Sequence, residues 1–296
     1  MKTPVVYIVI LNYNGIEDTV ECIESLNKIE YSNYRIVVVD NDSNLDNKIQ
    51  LEKFKAFNNV DLIYNSENLG YAGGNNEGIK YAINNGAEYV CVANNDIVVD
   101  PAFLKNMVDM ALQQTNTGIV CPQIREYYNR DRISYGGGEI NYYKGGVTIC
   151  GINSYDEKVM NTPRSITFGH GCCMLIKKEV LSTVGLLPEN YFLYYEDTDY
   201  SYRVVHNGYT INYCPSSIIY HKESVSTVKD SPNYQYYFTR NRLMFIKNNL
   251  KKKYKICAYP FTFMYILKKI LQKKFELENV HDAVYDFIHN IGGKRQ

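Results

Sequence analysis

The sequence lacks a long hydrophobic run, an excess of either charge and any paired-cysteine motif. No stretch of the 296 residues reaches the roughly 18 consecutive apolar residues that a membrane-spanning helix needs. Lysine plus arginine and aspartate plus glutamate each total 32, so the net charge gives no indication of a nucleic-acid partner. The eight cysteines show no CxxC and no Cys/His spacing suited to zinc. Most lie in apolar runs, as Cys91, Cys121 and Cys214 do, and we expect small buried side chains in a reducing compartment.

The first residues also lack the pattern of a secretory leader, because residues 1–4 precede a strand-like run directly. We therefore expect a cytoplasmic protein. A hydrophobic content of 45% and a charged content of 22% are ordinary for a globular chain that buries a core. The length leaves room for one large domain, or for one domain with an appendage.

The first half of the chain alternates strand and helix patterns. Continuous apolar runs predict buried strands over Val5 to Leu11, Tyr34 to Val39, Val60 to Tyr64 and Ala87 to Ala93. Apolar residues at helical spacing follow these runs. Strands that alternate with helices imply a parallel sheet with right-handed crossovers. We therefore predict an α/β fold with a mostly parallel central sheet and helices on both faces.

Residues after about 117 are less regular. The glycines at 136–138 and 145–146 bracket a hairpin or a mobile loop. Further strands are predicted over Cys172 to Lys177, Thr210 to Tyr213 and Ile218 to Tyr220, and a helix over Glu196 to Asn207. From residue 233 onward the chain is helical, basic and aromatic, which predicts a helical C-terminal appendage. The chain thus divides at 1–117, 118–232 and 233–296.

Polar residues cluster where the predicted strands end. Asn94-Asn95-Asp96 follows the fourth strand, and a glycine-rich segment at 68–78 follows the third. Asn12 and Asn14 end the first strand, and Asp40 and Asp42 the second. Ligands of open α/β sheets bind outside the carboxyl ends of the strands. Carboxylates there can accept hydrogen bonds from a base or a ribose, glycines admit a phosphate or sugar, and a metal at Asp96 would neutralise a diphosphate. A nucleotide fits this arrangement.

Local alternatives exist for each of these features. Asp40 and Asp42 are also typical of helix N-caps and Asx turns, and the glycine-rich segment is also typical of a tight helix entry. A dinucleotide-binding site would need G-x-G-x-x-G directly after the first strand, where the sequence has Asn-Tyr-Asn-Gly. No Walker sequence is present either, so nicotinamide and P-loop chemistry are disfavoured.

Four motifs in order carry a family resemblance. They are Ile-x-x-Leu-Asn-Tyr-Asn-Gly at 8–15, Val-Asp-Asn-x-Ser at 39–43, Asn-x-Gly-Tyr-Ala-x-Gly-x-Asn-x-Gly at 68–78 and Asn-Asn-Asp at 94–96. This set resembles the GT-A glycosyltransferases of family 2, especially the bacterial rhamnosyltransferase-like branch that builds surface polysaccharides. The resemblance continues through 171–176, 195–199 and 220–221. It spans roughly residues 4–245 and leaves 250–296 uncovered.

The resemblance implies inverting transfer of a sugar from a nucleotide-diphosphate donor, a UDP- or dTDP-sugar, to a hydroxyl of a glycan or lipid-linked oligosaccharide. Residues 1–117 would bind the donor, and 118–232 would bind the acceptor and carry the catalytic groups. The residues then expected to bind the donor are Asn12, Asn14, Asp40, Asp42, Asn68, Gly70, Gly73, Asn75, Asn94 and Asn95.

The same resemblance implies a divalent cofactor, Mn²⁺ or Mg²⁺, that neutralises the leaving diphosphate as a Lewis acid. Asp96 is the expected ligand, and His221 is expected to add a second. Relatives have an Asp-x-Asp motif here, and Asn94 replaces its first aspartate. An amide oxygen is a neutral and weaker ligand. An ordinary hydrogen-bonded histidine is the alternative for His221.

Glu196-Asp197 resembles the family's Glu-Asp motif, whose aspartate acts as the general base. Helical spacing places Glu196, Asp199 and Arg203 on one face and turns Asp197 about 100° away. We therefore predict Asp197 as the base, and we expect Glu196 and Arg203 to orient the acceptor or the helix. An acidic first helical turn is also what the helix dipole alone favours. His170, Gly171, Cys172 and Arg203 are expected to contact the acceptor or the donor sugar.

The tail has an apolar run at 256–267 between lysine clusters. It is too short to span a bilayer, but a basic, aromatic helix suits an anionic membrane surface. We therefore expect peripheral membrane contact through 250–274. The alternative is a helix packed on the catalytic domain or on a second subunit of a homo-oligomer.

Two other functions remain open from the sequence. A sugar-1-phosphate nucleotidylyltransferase would carry a glycine-rich, Arg/Lys-bearing signature after the first strand, which the sequence lacks. A non-catalytic nucleotide-sugar-binding or scaffolding subunit is supported by the missing first aspartate of the metal motif. Retention of Asp96, Glu196, Asp197 and His221 argues against that reading.

Overall fold

The computed structural model describes residues 3–151, 160–222 and 231–295. The strands are β1 (Val6–Asn12), β2 (Tyr34–Asp40), β3 (Val60–Tyr64), β4 (Tyr89–Asn94), β5 (Ile97–Val99), β6 (Thr117–Glu126), β7 (Ile133–Asn141), β8 (Gly146–Gly151), β9 (Arg164–Ile166), β10 (Cys173–Lys177) and β11 (Thr210–His221). The helices are α1 (Ile16–Leu26), α2 (Leu45–Leu51), α3 (Gly70–Asn84), α4 (Phe103–Ala111), α5 (Lys178–Thr183), α6 (Glu196–His206), α7 (Pro232–Asn249), α8 (Lys252–Leu271) and α9 (Leu277–Ile288). Short 3₁₀ helices cover Glu52–Ala56 and Glu189–Tyr191.

Among the described residues, one sheet of eleven strands forms the core of the fold, in the order β3-β2-β1-β4-β10-β6-β11-β5. β7 extends it beside β6, β8 pairs with β7, and β9 pairs with β11. The strands β1 to β4 pair in parallel, as predicted for the first half. β10 then runs antiparallel between β4 and β6. The predicted α/β class is confirmed, and the complete sheet is mixed because the second half adds mostly antiparallel pairs.

The central strands are buried on both faces, which explains their continuous apolar sequences. Every residue from Val6 to Ile10 is buried, as is every residue from Tyr89 to Ala93. Helix α3 lies close against β1, where a Cβ at Gly78 would come within 2.4 Å of the Val9 side chain. Most of the glycine-rich segment therefore forms the start of α3, which begins at Gly70, in agreement with the helix-entry alternative. Its glycines let the helix and the strand approach closely.

The second half departs from the predicted elements in one place. β11 is one strand over Thr210–His221, with a register irregularity between Cys214 and Ile218, where two strands were predicted. The glycines at 136–138 and 145–146 belong to the hairpin of β7 and β8, the first of the two alternatives predicted for them.

The appendage consists of α7, α8 and α9, with α8 and α9 both packed on α7. Helix α8 buries Ala258, Thr262 and Ile266 on one face. Within the described ranges, the structure contains no helix that is both long and apolar enough to cross a membrane.

Candidate active site

Asn12 and Asp40, at the ends of β1 and β2, are fully buried and bonded to each other. Asn12 Nδ2 donates to Asp40 Oδ1 at 2.9 Å and to Ser43 Oγ at 3.1 Å. The Ser43 amide donates to Asp40 Oδ2 at 3.0 Å, and Thr19 Oγ1 donates to Asn12 Oδ1 at 2.9 Å. This differs from the prediction that both side chains face a ligand. Their hydrogen bonds go to neighbouring residues, so in this structure they fix the two strand ends.

Asn95 belongs to the same network rather than to an open pocket. Its Nδ2 donates to Gly15 O at 3.1 Å and to Thr19 Oγ1 at 3.0 Å. By contrast, Asn14 and Asp42 are exposed and adopt positive φ angles of 53° and 66°. The N-cap of α2 is Asn44, not either of the two aspartates. Among the predicted residues at the ends of β1 and β2, Asn14 and Asp42 are therefore the accessible ones.

Asn41 organises the start of the glycine-rich segment, a role that the sequence did not reveal. Its Oδ1 accepts from Asn65 Nδ2 at 3.0 Å and from the Leu69 amide at 3.1 Å. Its Nδ2 donates to Asn68 Oδ1 at 2.9 Å and to Gly70 O at 3.2 Å. Asn68 is thus held by Asn41. The available signal was the position of Asn41 inside the Val-Asp-Asn-x-Ser motif.

The predicted glycines of α3 serve close packing. Gly70 has φ 74°, and a Cβ there would lie 2.4 Å from Phe192 O. A Cβ at Gly73 would lie 2.8 Å from the Leu69 side chain. Asn75 is fully buried, and its Oδ1 has no hydrogen-bond partner among the described residues.

Asp96 and His221 meet at the turn between β4 and β5. His221, the last residue of β11, pairs with Ile97 of β5, and its Nε2 lies 3.2 Å from Asp96 Oδ1. Burial of the ring opposes protonation, but Cys172 and the Asp96 carboxylate favour it, and the pKa of His221 is raised well above its ordinary value. The structure thus brings the two predicted metal ligands together.

The atoms at this turn suit a divalent cation that receives further ligands from elsewhere. Asn94 Oδ1 is buried without a hydrogen-bond partner in the described part of the chain. The described residues contain no group of three His, Cys, Asp or Glu side chains that could hold a metal alone. Mg²⁺ characteristically takes one or two carboxylates and completes its shell with substrate phosphates and water. Asp96, His221 and Asn94 fit that incomplete kind of site.

Asp197 lies in the first turn of α6 with both carboxylate oxygens oriented by the backbone. Oδ2 accepts from the Gly171 amide at 3.1 Å, and Oδ1 accepts from the Thr198 amide at 2.6 Å. Burial raises the pKa of Asp197, although these hydrogen bonds oppose the rise. Burial, together with the Asp197 charge, raises the pKa of the adjacent Glu196 to about 8. Glu196 Oε2 is buried and has no hydrogen-bond partner among the described residues.

The loop of His170, Gly171 and Cys172 lies between Asp197 and the Asp96 turn. The Asn94 amide donates to Cys172 O at 2.9 Å, while Gly171 N holds Asp197. His170 Nδ1 accepts from the Cys172 amide at 3.1 Å, and burial lowers the pKa of His170 to about 4. The loop therefore connects the metal-ligand candidates to the base candidate.

Tyr71 adds a further link that the sequence did not single out. Its hydroxyl donates to Gly171 O, and a Cβ at Gly171 would lie 3.4 Å from both Tyr71 Oη and Asp197 Oδ2. The start of α3 is thereby tied to the 170–172 loop.

Arg203 is engaged within the protein rather than free for an acceptor. Its Nε donates to Asp199 Oδ1 at 2.8 Å, the i,i+4 pair that helical spacing predicted. Its Nη1 and Nη2 donate to Val184 O at 3.1 Å and Leu186 O at 2.9 Å. Arg203 therefore fixes α6 to the segment that precedes it, and the prediction of acceptor contact is not supported by this geometry.

The turn before α6 is strained and is held by the appendage. Positive φ angles of 63°, 66° and 75° occur at Phe192, Tyr194 and Tyr195. Such angles in residues other than glycine cost about 1–3 kcal/mol each and persist only where surrounding structure enforces them. Asn241 of α7 supplies that enforcement, because its Nδ2 lies 2.9, 2.7 and 2.8 Å from the carbonyl oxygens of Tyr191, Leu193 and Tyr194.

Comparison with known proteins shows the family of this chain. The family model described as Glycosyl transferase family 2 matches residues 7–185. A low-salt glycan biosynthesis hexosyltransferase of Haloferax volcanii is 26% identical over 291 residues, covering 96% of this chain and 90% of the relative. A dTDP-rhamnosyl transferase of Shigella flexneri is 26% identical over 305 residues, covering 97% and 96%.

Solved structures share the fold. A mannosyltransferase from Pyrobaculum calidifontis, determined with GDP-Man and Mn²⁺, superposes with a TM-score of 0.62 at 15% identity, over 98% of this chain and 76% of that one. GalNAc-T7, determined with UDP, GalNAc and Mn²⁺, superposes with a TM-score of 0.72 at 17% identity, over 98% of this chain and 58% of that one. The chain belongs to glycosyl transferase family 2 and is a glycosyltransferase with the GT-A fold.

Proposed function

We propose that this enzyme transfers a sugar, with inversion, from a UDP- or dTDP-sugar to a hydroxyl of a glycan or lipid-linked oligosaccharide. The product would enter a surface polysaccharide or glycoconjugate. The relatives named for hexosyl and dTDP-rhamnosyl transfer, each matched over nearly the whole chain, support this proposal. We also propose that the enzyme is cytoplasmic, as expected from the sequence.

One observation carries the proposal: the 170–172 loop is hydrogen-bonded to both halves of the candidate site. Cys172 O accepts a hydrogen bond from the amide of Asn94, two residues before Asp96, and the Gly171 amide donates a hydrogen bond to Asp197 Oδ2. A cation-stabilised leaving group and a base are the two elements that such a transfer needs on either side of the anomeric carbon. Here one short segment is hydrogen-bonded to the candidate base and to the turn that carries the candidate cation ligands.

Asp197 is the proposed base. The acceptor oxygen forms a bond to the anomeric carbon while its proton passes to the Asp197 carboxylate. The bond from the anomeric carbon to the diphosphate oxygen breaks, and its electron pair leaves with the diphosphate. Burial that raises the pKa of Asp197 makes the carboxylate a better proton acceptor. The Gly171 and Thr198 amides hold it in one orientation.

Asp96 and His221, with Asn94 nearby, are the proposed residues for Mn²⁺ or Mg²⁺. When bound, the cation would stabilise the negative charge that develops on the leaving diphosphate. With Asp96 and His221 already 3.2 Å apart, little rearrangement of these two side chains is needed. Asn14 and Asp42, exposed at the strand ends, are the proposed contacts for the nucleoside.

The test is a donor screen with two readouts. Thermal shift is measured with UDP, dTDP and GDP, with and without Mn²⁺, and nucleoside-diphosphate release is measured with the corresponding sugars. A ligand that binds only the folded state stabilises it by about 2.7 kcal/mol at a hundredfold excess over its dissociation constant. We expect a Mn²⁺-dependent shift with UDP or dTDP. A thermal shift with GDP but not with UDP or dTDP would contradict the proposed donor class, and so would the lack of a shift with all three nucleotides.

A further inference from the structure

Helix α8 carries an exposed apolar stripe that the rest of the described chain does not cover. Its members are Ile256, Phe263, Met264, Leu267 and Leu271, which are 44% to 75% exposed. At 3.6 residues per turn these five positions fall within an arc of about 100°. The buried positions Ala258, Thr262 and Ile266 lie on the other side of the helix, against α7 and the β7–β8 hairpin.

The segment that carries this stripe is rich in lysine and has no acidic residue. Residues 251–274 contain no aspartate and no glutamate, in a chain whose total charge is zero. Their eight lysines are Lys251, Lys252, Lys253, Lys255, Lys268, Lys269, Lys273 and Lys274. Helical spacing puts Lys252 and Lys253 on either side of Ile256. The five apolar residues form what we call the basic-apolar face, together with the exposed Lys252, Lys253 and Lys268, which helical spacing places within or beside the stripe.

We propose that the basic-apolar face docks on a membrane surface that contains anionic lipids, with α8 lying in the plane of the surface. Apolar side chains on one face of a helix, flanked by lysines, match a headgroup region that is negatively charged outside and apolar beneath. Burial of the stripe and attraction of the lysines then act together. The inference stands on α8 alone and is independent of the proposed sugar transfer.

A second copy of this chain fits the face less well. A symmetric contact would place the same surface on both subunits, and would therefore bring together the lysines that flank the stripe on each subunit, with no acid in residues 251–274 of either. An anionic lipid surface supplies the opposite charge directly. This difference is why we assign the face to lipid rather than to a dimer.

Docking at α8 would be connected to the catalytic helix through one hairpin. The Tyr254 ring lies 5.2 Å from the Tyr142 ring and 5.1 Å from the Tyr143 ring in the β7–β8 turn. In the same turn, Gly145 O accepts a hydrogen bond from the hydroxyl of Tyr195, which directly precedes α6, at 3.3 Å. A membrane-bound α8 would thus hold the acceptor side of the enzyme near the lipid surface.

The experiment is vesicle co-sedimentation of the full chain, with phosphatidylcholine alone and with phosphatidylcholine mixed with phosphatidylglycerol. We expect binding to the anionic vesicles, weakened by salt, and little binding to phosphatidylcholine. The variant I256E/F263E changes two of the most exposed residues of the stripe. It should lower the bound-to-free ratio by about tenfold or more.

A matched control is L277E/I288E on α9. Leu277 and Ile288 are also strongly exposed, but α9 carries Glu278, Asp282 and Asp286. The control should bind anionic vesicles as the unchanged protein does. Melting temperature and size-exclusion mass are measured for every variant, and K252E/K253E serves as a second test that leaves the apolar residues intact.

Three outcomes would overturn the proposal. The unchanged protein could fail to bind anionic vesicles, or I256E/F263E could bind as strongly as the control. A dimer that I256E/F263E dissociates, without vesicle binding by the unchanged protein, would assign the face to a second copy instead.

Discussion

Asn241 provides the sharpest test of how the appendage supports the catalytic helix. It is fully buried in α7 and lies fifty residues from the carbonyl group of Tyr191 that it binds. Replacing it by leucine keeps a similar volume and removes both amide protons. The carbonyl groups of Leu193 and Tyr194, at 2.7 and 2.8 Å from Nδ2, then lose their donor.

The expected cost follows from these contacts. Two amide protons satisfy two carbonyl groups fully, and each buried carbonyl left without a donor costs about 1–3 kcal/mol. We therefore expect N241L to lower the free energy of unfolding by about 2–6 kcal/mol. The positive φ angles of Phe192, Tyr194 and Tyr195 also lose their restraint, so the turn can relax and shift Asp197. A displacement of about 1 Å at a catalytic group can reduce turnover by about a hundredfold.

The assay separates positioning from stability. Turnover and donor affinity are measured well below the melting temperature, with N248L as the control, because Asn248 is exposed on the same helix. We expect kcat of N241L to fall by at least about tenfold, while donor affinity stays near that of the unchanged enzyme. N241S leaves a cavity but keeps one hydroxyl donor, and its kcat should lie between those of N241L and N248L. Unchanged kcat in N241L, or an equal loss of donor affinity, would refute the positioning role.

Three further outcomes are expected. D96A should abolish the Mn²⁺-dependent part of donor binding in thermal shift, and an unchanged Mn²⁺ response would place the cation elsewhere. Because the folded pKa of Glu196 is about 8 and its ordinary value is 4.5, folding disfavours the charged form; the unchanged protein should lose stability as pH rises between these values. The melting temperature of E196Q minus that of the unchanged protein should therefore be larger at pH 8.5 than at pH 5. Equal differences at the two pH values would contradict the assignment. G70A should lower the free energy of unfolding more than G86A does, by about 1–3 kcal/mol. Both glycines have positive φ, but a Cβ at Gly70 would lie 2.4 Å from Phe192 O, while nothing lies within 4 Å of a Cβ at Gly86. Equal denaturation midpoints would contradict this packing.

The parallel core could be predicted because its strands are buried on both faces. Val6 to Ile10 and Tyr89 to Ala93 are apolar throughout, and each run is bounded by turn residues. The continuity of β11 could not be predicted in this way. Pro215 lacks a backbone N–H and the strand is irregular between Cys214 and Ile218, so the local sequence has the pattern of two strands with a turn between them.

For the candidate site, the sequence predicted which residues lie at the carboxyl ends of the strands, but it did not predict which of their side chains are buried in contacts within the protein. The family resemblance implied that Asp96 and His221 share one metal, and the structure places their side chains 3.2 Å apart. Asn12 and Asp40 were expected to face a ligand, yet they bond to each other across 28 residues. Such a contact leaves no local pattern. The same holds for Asn241, since an asparagine inside a helix gives no indication of a distant carbonyl partner.

The most direct measurement is nucleoside-diphosphate release and glycan product formation by D197N, with D109N as the matched control. Asp109 is exposed and contacts Lys105 on α4, far along the chain from α6. If Asp197 takes the acceptor proton, D197N should lose about 10²- to 10⁴-fold in turnover while its Mn²⁺-dependent donor binding persists, and D109N should resemble the unchanged enzyme. Turnover of D197N within a few-fold of the control would contradict the central claim that Asp197 is the base of the transfer.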